Sequence, residues 1–318
     1  MNRMLQWRKL GMLFRPEGRF PWMHEYAQVP TTLLLDDRLR VYFSCRPKRA
    51  ADGSCLSHTG FVDLDRGDPR QILAVSPQPV IELGELGSFD QFGVMAGSVL
   101  PVGDEIWLYY CGWTRSVAVP YNWAIGLAVS RDGGRHFARI GKGPIIGPSA
   151  SEPYLQACPI VRRQEGGRWH MWYLSGTAWL DTGRSRESIY VVMHATSRDG
   201  IDWERDGKPA LPARVDFECQ TSASVFEHQG RHHMLFSYRH GLDFRNATRG
   251  YRIGHACSDD LRVWQRTNDE AGIEPAISGW DSEMVCYPHV FDLDGRTLLI
   301  YCGNEFGREG FGWAELLP

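Results

Sequence analysis

The chain has 318 residues, of which 43% are hydrophobic and 23% charged, a globular composition with ample apolar surface for a core. A net charge of −3 gives no electrostatic reason to expect a nucleic-acid partner or an anionic membrane, and no apolar run is long enough to span a bilayer. The eight cysteines include no C-x-x-C pair, which excludes zinc and thioredoxin-like spacings.

From the N-terminus, Met1 to Phe14 carries Arg3, Arg8 and Lys9 among apolar residues and lacks the continuous apolar stretch of a signal peptide. Within it, Trp7-Arg-Lys9-Leu-Gly11 has the pattern of a strand. Arg40-Val-Tyr-Phe-Ser-Cys-Arg46 opens a series of aromatic and β-branched strands. Ile106–Gly112, Trp169–Ser175, His233–Arg239 and Thr297–Gly303 continue it. Each is preceded by a short strand and a polar turn, as in Ser98-Val-Leu-Pro-Val-Gly-Asp104. A second motif follows in three of the repeats: Ser130-Arg-Asp-Gly-Gly-Arg-His-Phe137 leads to Arg139, Ser197-Arg-Asp-Gly-Ile-Asp-Trp203 to Arg205, and Ser258-Asp-Asp-Leu-Arg-Val-Trp264 to Arg266. The Asp and Gly residues mark these as hairpin tips.

Five copies of a four-strand unit, about sixty residues apart, predict an all-β fold: one five-bladed β-propeller domain over residues 1–318 with antiparallel blades. The last copy ends after Gly312-Trp-Ala-Glu-Leu316, one strand short, and Trp7-Arg-Lys9 matches the missing strand as it appears at Trp203-Glu-Arg205. The N-terminal strand is therefore expected to close the last blade and cover its edge. Cysteines such as Cys111 and Cys302 fall inside apolar strands and read as buried reduced thiols of a cytoplasmic protein.

In a propeller, residues before the innermost strand and after the second strand gather at one end of the axis. That filter brings at least one carboxylate per blade to this mouth: Glu25, Asp90, Glu152, Asp216 with Glu218, and Asp281 with Glu283. The second-strand ends add Arg46, Trp113, Thr114, Trp179, Arg239, His240, Asn304 and Glu305. Asp90, Asp216 and Asp281 recur at similar positions, which favours structure, whereas Glu25, Glu152 and Glu218 depart from them and are the candidates for catalysis. Crowded carboxylates raise and lower one another's pKa, which divides them into acid and base.

Trp22-Met23-His24-Glu25, Glu152-Pro153 and Glu218-Cys219 resemble, in order and blade, the Trp-Met-Asn-Asp, Asp-Pro and Glu-Cys motifs of the sucrase, levanase and arabinanase clan of glycoside hydrolases, families 32 and 43. The Ser-x-Asp-Gly tips and Tyr-Cys-Gly strand ends are also similar to the family 130 mannoside phosphorylases. The resemblance implies Glu25 as base or nucleophile, Glu152 as transition-state stabiliser and Glu218 as general acid. In the first and third motifs Glu stands for Asp, one C–C bond (about 1.5 Å) longer.

The reading that follows is a cytoplasmic glycosidase acting on an oligosaccharide or glycan precursor, with Arg46, Asp90, Trp113, Trp179, Arg239, His240, Glu283, His289 and Asn304 contacting the carbohydrate substrate. No cofactor is expected, although an axial divalent cation such as calcium, with His289 or the ring acids as ligands, has room in this scheme. Two alternatives stay open: phosphorolysis, with Arg46, Arg239 and His240 holding an anion, and a sugar-binding propeller without catalysis.

Overall fold

The computed structural model describes residues 5–49 and 55–318, and these form five four-stranded antiparallel sheets. The innermost strands are Glu25–Leu34, Gly93–Val102, Gln156–Arg163, Cys219–His228 and Cys286–Leu293. They contact one another in cyclic order, the fifth against the first, so the sheets are the blades of the expected propeller. Closure is also as expected: Trp7–Phe14 pairs antiparallel with Phe311–Leu316, from Trp7 opposite Leu316 to Phe14 opposite Phe311.

The second strand of each blade supplies the core. Tyr42, Phe43, Tyr109, Tyr110, Trp172, Tyr173, Phe236 and Tyr301 are all buried, so these aromatics are packing residues, not a sugar platform. The Ser-x-Asp tips are built as turns. Ser130, Ser197 and Ser258 donate to Asp132, Asp199 and Asp260, whose carboxylates accept backbone N–H groups across the tip. The tips also join neighbours: Tyr42 donates to the Gly134 carbonyl (2.6 Å) and Tyr109 to that of Gly200 (2.8 Å).

Around the axis, each inner strand bulges at the same level. Val29, Cys158, Ser222 and Tyr287 take left-handed φ values of 47°, 49°, 50° and 54°, and Gly97 fills the place in blade two. Just past the bulges, side chains tie adjacent inner strands together. Ser98 Oγ accepts from Val161 N (2.9 Å), Ser224 Oγ from Val290 N (2.8 Å), and His289 Nε2 from Thr32 N (3.1 Å). His289 thus sits where blade five meets blade one, on the wall of a cavity beyond the bulges that it shares with Thr31, Ser98 and Ser224. Burial pushes its imidazole down to about 4, consistent with a neutral ring accepting a backbone N–H. It lies far down the axis from the mouth assigned to it by sequence.

No disulfide forms among the described residues; six cysteines are buried, and Cys55 and Cys158 are half-buried. No helix of the described residues is long and apolar enough to cross a membrane. No three His, Cys, Asp or Glu side chains among them are placed to hold a metal ion.

Candidate functional site

The mouth acids divide into two kinds. Asp90 is enclosed and accepts from Tyr110 Oη (2.9 Å) and Arg139 Nε (2.7 Å). Asp281 does the same with Tyr301 Oη (2.9 Å) and Lys9 Nζ (2.6 Å). Each pairing links the lead-in to a blade, its second strand and its fourth. Glu152 occupies the same station: Tyr173 Oη lies 2.8 Å away, Ser175 Oγ 2.8 Å and Arg205 Nη1 3.8 Å. In blade four Phe236 replaces the tyrosine, and Glu218 instead takes Gln220 Nε2 (2.9 Å), Arg214 N (3.0 Å) and a two-pronged ion pair from Arg266 (2.6 and 3.2 Å). Burial and the adjoining acid raise the pKa of Tyr110, Tyr173 and Tyr301, so these phenols stay protonated and donate.

The side chains of Glu152 and Glu218 are 1% and 0% exposed. Their lone pairs are committed to blade-closing staples, and this corrects the expectation that they face the axial mouth. Asp216, grouped by sequence with Asp90 and Asp281, is exposed and outside the staple.

Blade one has no such staple. Met23, fully buried, stands in the acid's place, and the outer strand Ile72–Val75 brings no base. Here a hollow of about 450 Å³ opens, lined by His24, Glu25, Tyr26, Arg46, Lys48, Arg49, Cys55, Glu305 and Arg308. Glu25 and Arg46 are cross-strand neighbours on the first two strands of the blade. Arg308, on the loop after the second strand of blade five, bridges two carboxylates: its Nε lies 3.0 Å from Glu25 Oε2 and its Nη1 2.9 Å from Glu305 Oε2. The Glu25 side chain is 25% exposed and that of Glu305 62%. Arg46 lies over the Tyr26 ring, 4.4 Å from its centroid, and reaches Gln28 at only 3.4 Å. Its buried Nε has no hydrogen-bond partner among the described residues.

Backbone strain gathers at the same place. Tyr26, Glu305 and Phe306 adopt φ values of 66°, 50° and 63°, left-handed conformations that cost a non-glycine residue about 1–2 kcal/mol. Tyr26 lies outside the bulge common to the five inner strands, so its strain belongs to this blade alone.

The remaining sequence candidates lie outside the hollow. Arg239 is sealed: it donates to Tyr190 Oη (2.9 Å) and the His240 carbonyl (2.7 Å), with its guanidinium 3.4 Å from the Phe244 ring centroid. His240 is half-buried beside it, its N–H bonded to the Arg249 carbonyl. Asn304 clamps the lead-in of blade five, accepting from Glu283 N (2.7 Å) and donating to the Gly279 carbonyl (2.9 Å), which leaves the Glu283 side chain exposed. Trp113 is half-buried against Phe92, and Trp179 packs edge-on to Tyr121, which stacks on Trp123. Of the sequence candidates, Glu25, Arg46 and Glu305 line the hollow. Sequence reasoning missed Arg308, His24 and Tyr26 as site residues; Arg308 lies only four residues beyond Asn304, at the second-strand end already searched.

No protein-family model matches the chain. Two Mycobacterium tuberculosis proteins, MT1551 (strain CDC 1551 / Oshkosh) and Rv1502 (strain ATCC 25618 / H37Rv), both uncharacterized, are 34% identical to it over 315 residues, covering 98% of this chain and 99% of theirs. Among solved structures, a glycoside hydrolase superposes with a TM-score of 0.78 at 16% identity, over 99% of this chain and 93% of its own. A member of the GH130 family of mannoside phosphorylases, which contains glycoside hydrolases that target β-1,2 mannosidic linkages in Candida mannan, gives 0.70 at 15% identity, over 98% and 94%. The endo-arabinase of Bacteroides thetaiotaomicron gives 0.61 at 14%, over 92% and 95%. At these identities the likeness is one of fold: the chain has the five-bladed propeller of the glycoside hydrolases and phosphorylases.

Proposed function

The chain belongs to the family of the mycobacterial proteins MT1551 and Rv1502, and from that premise we propose that it cleaves a glycosidic bond in the hollow between blades one and five. The observation that carries the reading is the pair Glu25 and Glu305, two accessible carboxylates held in one cavity by a single Arg308. Glycoside hydrolysis needs two such groups, one to protonate the leaving oxygen and one to activate water or attack the anomeric carbon. Displacement by phosphate needs only one, since phosphate is itself the nucleophile, so the pair favours water. Glu25, deeper and less exposed, keeps the base or nucleophile role that the family resemblance implies; Glu305, at the rim, is assigned the proton to the leaving oxygen in place of the buried Glu218. Arg308 fixes both carboxylates, and the fold's resemblance to glycan-cleaving propellers supports the class of substrate.

Purified protein incubated with a panel of aryl glycosides, with and without inorganic phosphate, tests this. Phosphate-independent turnover is expected, with Glu25→Gln and Glu305→Gln each lowering kcat about 10²–10⁴-fold and leaving Glu152→Gln folded and active. Turnover that requires phosphate, or that survives both hollow substitutions, overturns the assignment.

A further inference from the structure

The hollow is cationic in a chain that is not. Its wall carries Arg46, Lys48, Arg49 and Arg308 against two carboxylates, Glu25 and Glu305, whereas the chain as a whole has a net charge of −3. Both carboxylates are already paired with Arg308. Among the described residues, Arg46 has no carboxylate within ion-pair distance, and its buried Nε has no hydrogen-bond acceptor. A guanidinium brings five N–H donors in a planar fork suited to carboxylate or phosphate oxygens. Leaving it this poorly matched beside a cavity costs stability unless an incoming anion completes it.

We infer that the glycan bound here carries an anionic group, a carboxylate or phosphate on the sugar itself, seated on Arg46 with Lys48 and Arg49 at its edge. A volume of about 450 Å³ is within the range of pockets that enclose a whole small ligand, so it has room for the ring as well as the charge. Tyr26 also lines the hollow, its ring carrying the Arg46 guanidinium, so the two present the apolar and the charged part of one wall. The inference rests on the reading of this hollow as the glycan site, but not on its catalysing anything.

Calorimetric titration tests it with four sugars and one ion: galacturonate against galactose, glucose 6-phosphate against glucose, and inorganic phosphate alone. At least one charged sugar is expected to bind about 10- to 100-fold tighter than its neutral counterpart, with the preference weakening as salt rises. Arg46→Met should abolish the preference, while Lys142→Met, on an exposed side chain outside the hollow, should keep it. If Arg46→Met fails to fold, Lys48→Met provides the same comparison from an exposed position, with a smaller loss expected for the charged sugar only. Equal binding of charged and neutral sugars overturns the inference, as does failure of every charged probe to bind. Free phosphate binding as tightly as glucose 6-phosphate also overturns it, because the site would then hold the ion and not the sugar. Charged-sugar binding without turnover removes the hydrolase reading and leaves this one standing; turnover of neutral glycosides with no preference for charge does the reverse.

Discussion

Blades one and four begin from nearly the same sentence. Arg38-Leu-Arg-Val-Tyr-Phe-Ser-Cys-Arg46 and Arg231-His-His-Met-Leu-Phe-Ser-Tyr-Arg239 are nine-residue second strands with Phe-Ser-x-Arg at the same place, and both end in an arginine at the axial mouth. Their fates differ. Arg239 is closed in by Tyr190, Tyr251 and Phe244 and its donors are spent on a phenol and two carbonyls. Arg46 meets one tyrosine face, one long contact to Gln28 and an open hollow. The neighbouring staples differ in the same sense: blade four has Glu218 locked to Arg266, and blade one has Met23 and no base. An identical side chain at an equivalent site is thus scaffold in one blade and available to a ligand in the other. What surrounds the arginine decides its use.

The contrast is broken most forcefully at its enclosed end. Glu218→Gln should cost about 3–5 kcal/mol in urea unfolding, because it strands the buried Arg266 charge. Arg239→Met should cost about 3 kcal/mol by removing the donors to the His240 and Gly241 carbonyls and to the Tyr190 hydroxyl, which keeps only its Tyr251 partner, whereas Arg46→Met should change stability by less than about 1 kcal/mol. Equal losses for the two arginines would erase the distinction.

A pH series sharpens it. Burial pushes His170, His255 and His289 down to about 4, below the unfolded value near 6.5. Their neutral forms therefore contribute stability that is fully present above pH 6.5 and lost as pH falls towards 4, up to about 3 kcal/mol for each ring. Urea unfolding at pH 7 and pH 5 should show the decline, and His289→Leu should lessen its slope. A more modest loss than at Glu218 is expected from Lys9→Met. It removes the staple to Asp281 but leaves the Tyr301 hydrogen bond, for a loss of about 1–2 kcal/mol measured by the same unfolding.

The fold was open to reading because its signal is repetition. Tips, aromatic strands and the Trp7-Arg-Lys9 match to Trp203-Glu-Arg205 each depend on local order along the chain. The site was less so. Grouping one acid per blade at the mouth was a matter of topology, but whether a carboxylate points into the axis or sideways into its own blade depends on a base about fifty residues away, or, for Asp281, at the opposite end of the chain. The clue was present. A base stands two residues after an aromatic at Lys9, Arg139, Arg205 and Arg266, in the same four blades that hold Asp281, Asp90, Glu152 and Glu218. Acid and base recur together and are missing together from blade one. Reading that covariation would have assigned Glu152 and Glu218 to the staples and left Glu25 alone. Arg308 was beyond such reasoning, since it reaches Glu25 across the ring closure from the opposite end of the chain.

The most direct test of the account is a crystal structure of the protein soaked with galacturonate. The account predicts a sugar in the hollow of blades one and five, its carboxylate on Arg46 and its ring against Tyr26, within reach of Glu25. A sugar bound instead at Trp113 and Trp179, or in the cavity beside His289, with the Arg46 hollow holding only solvent, would contradict it.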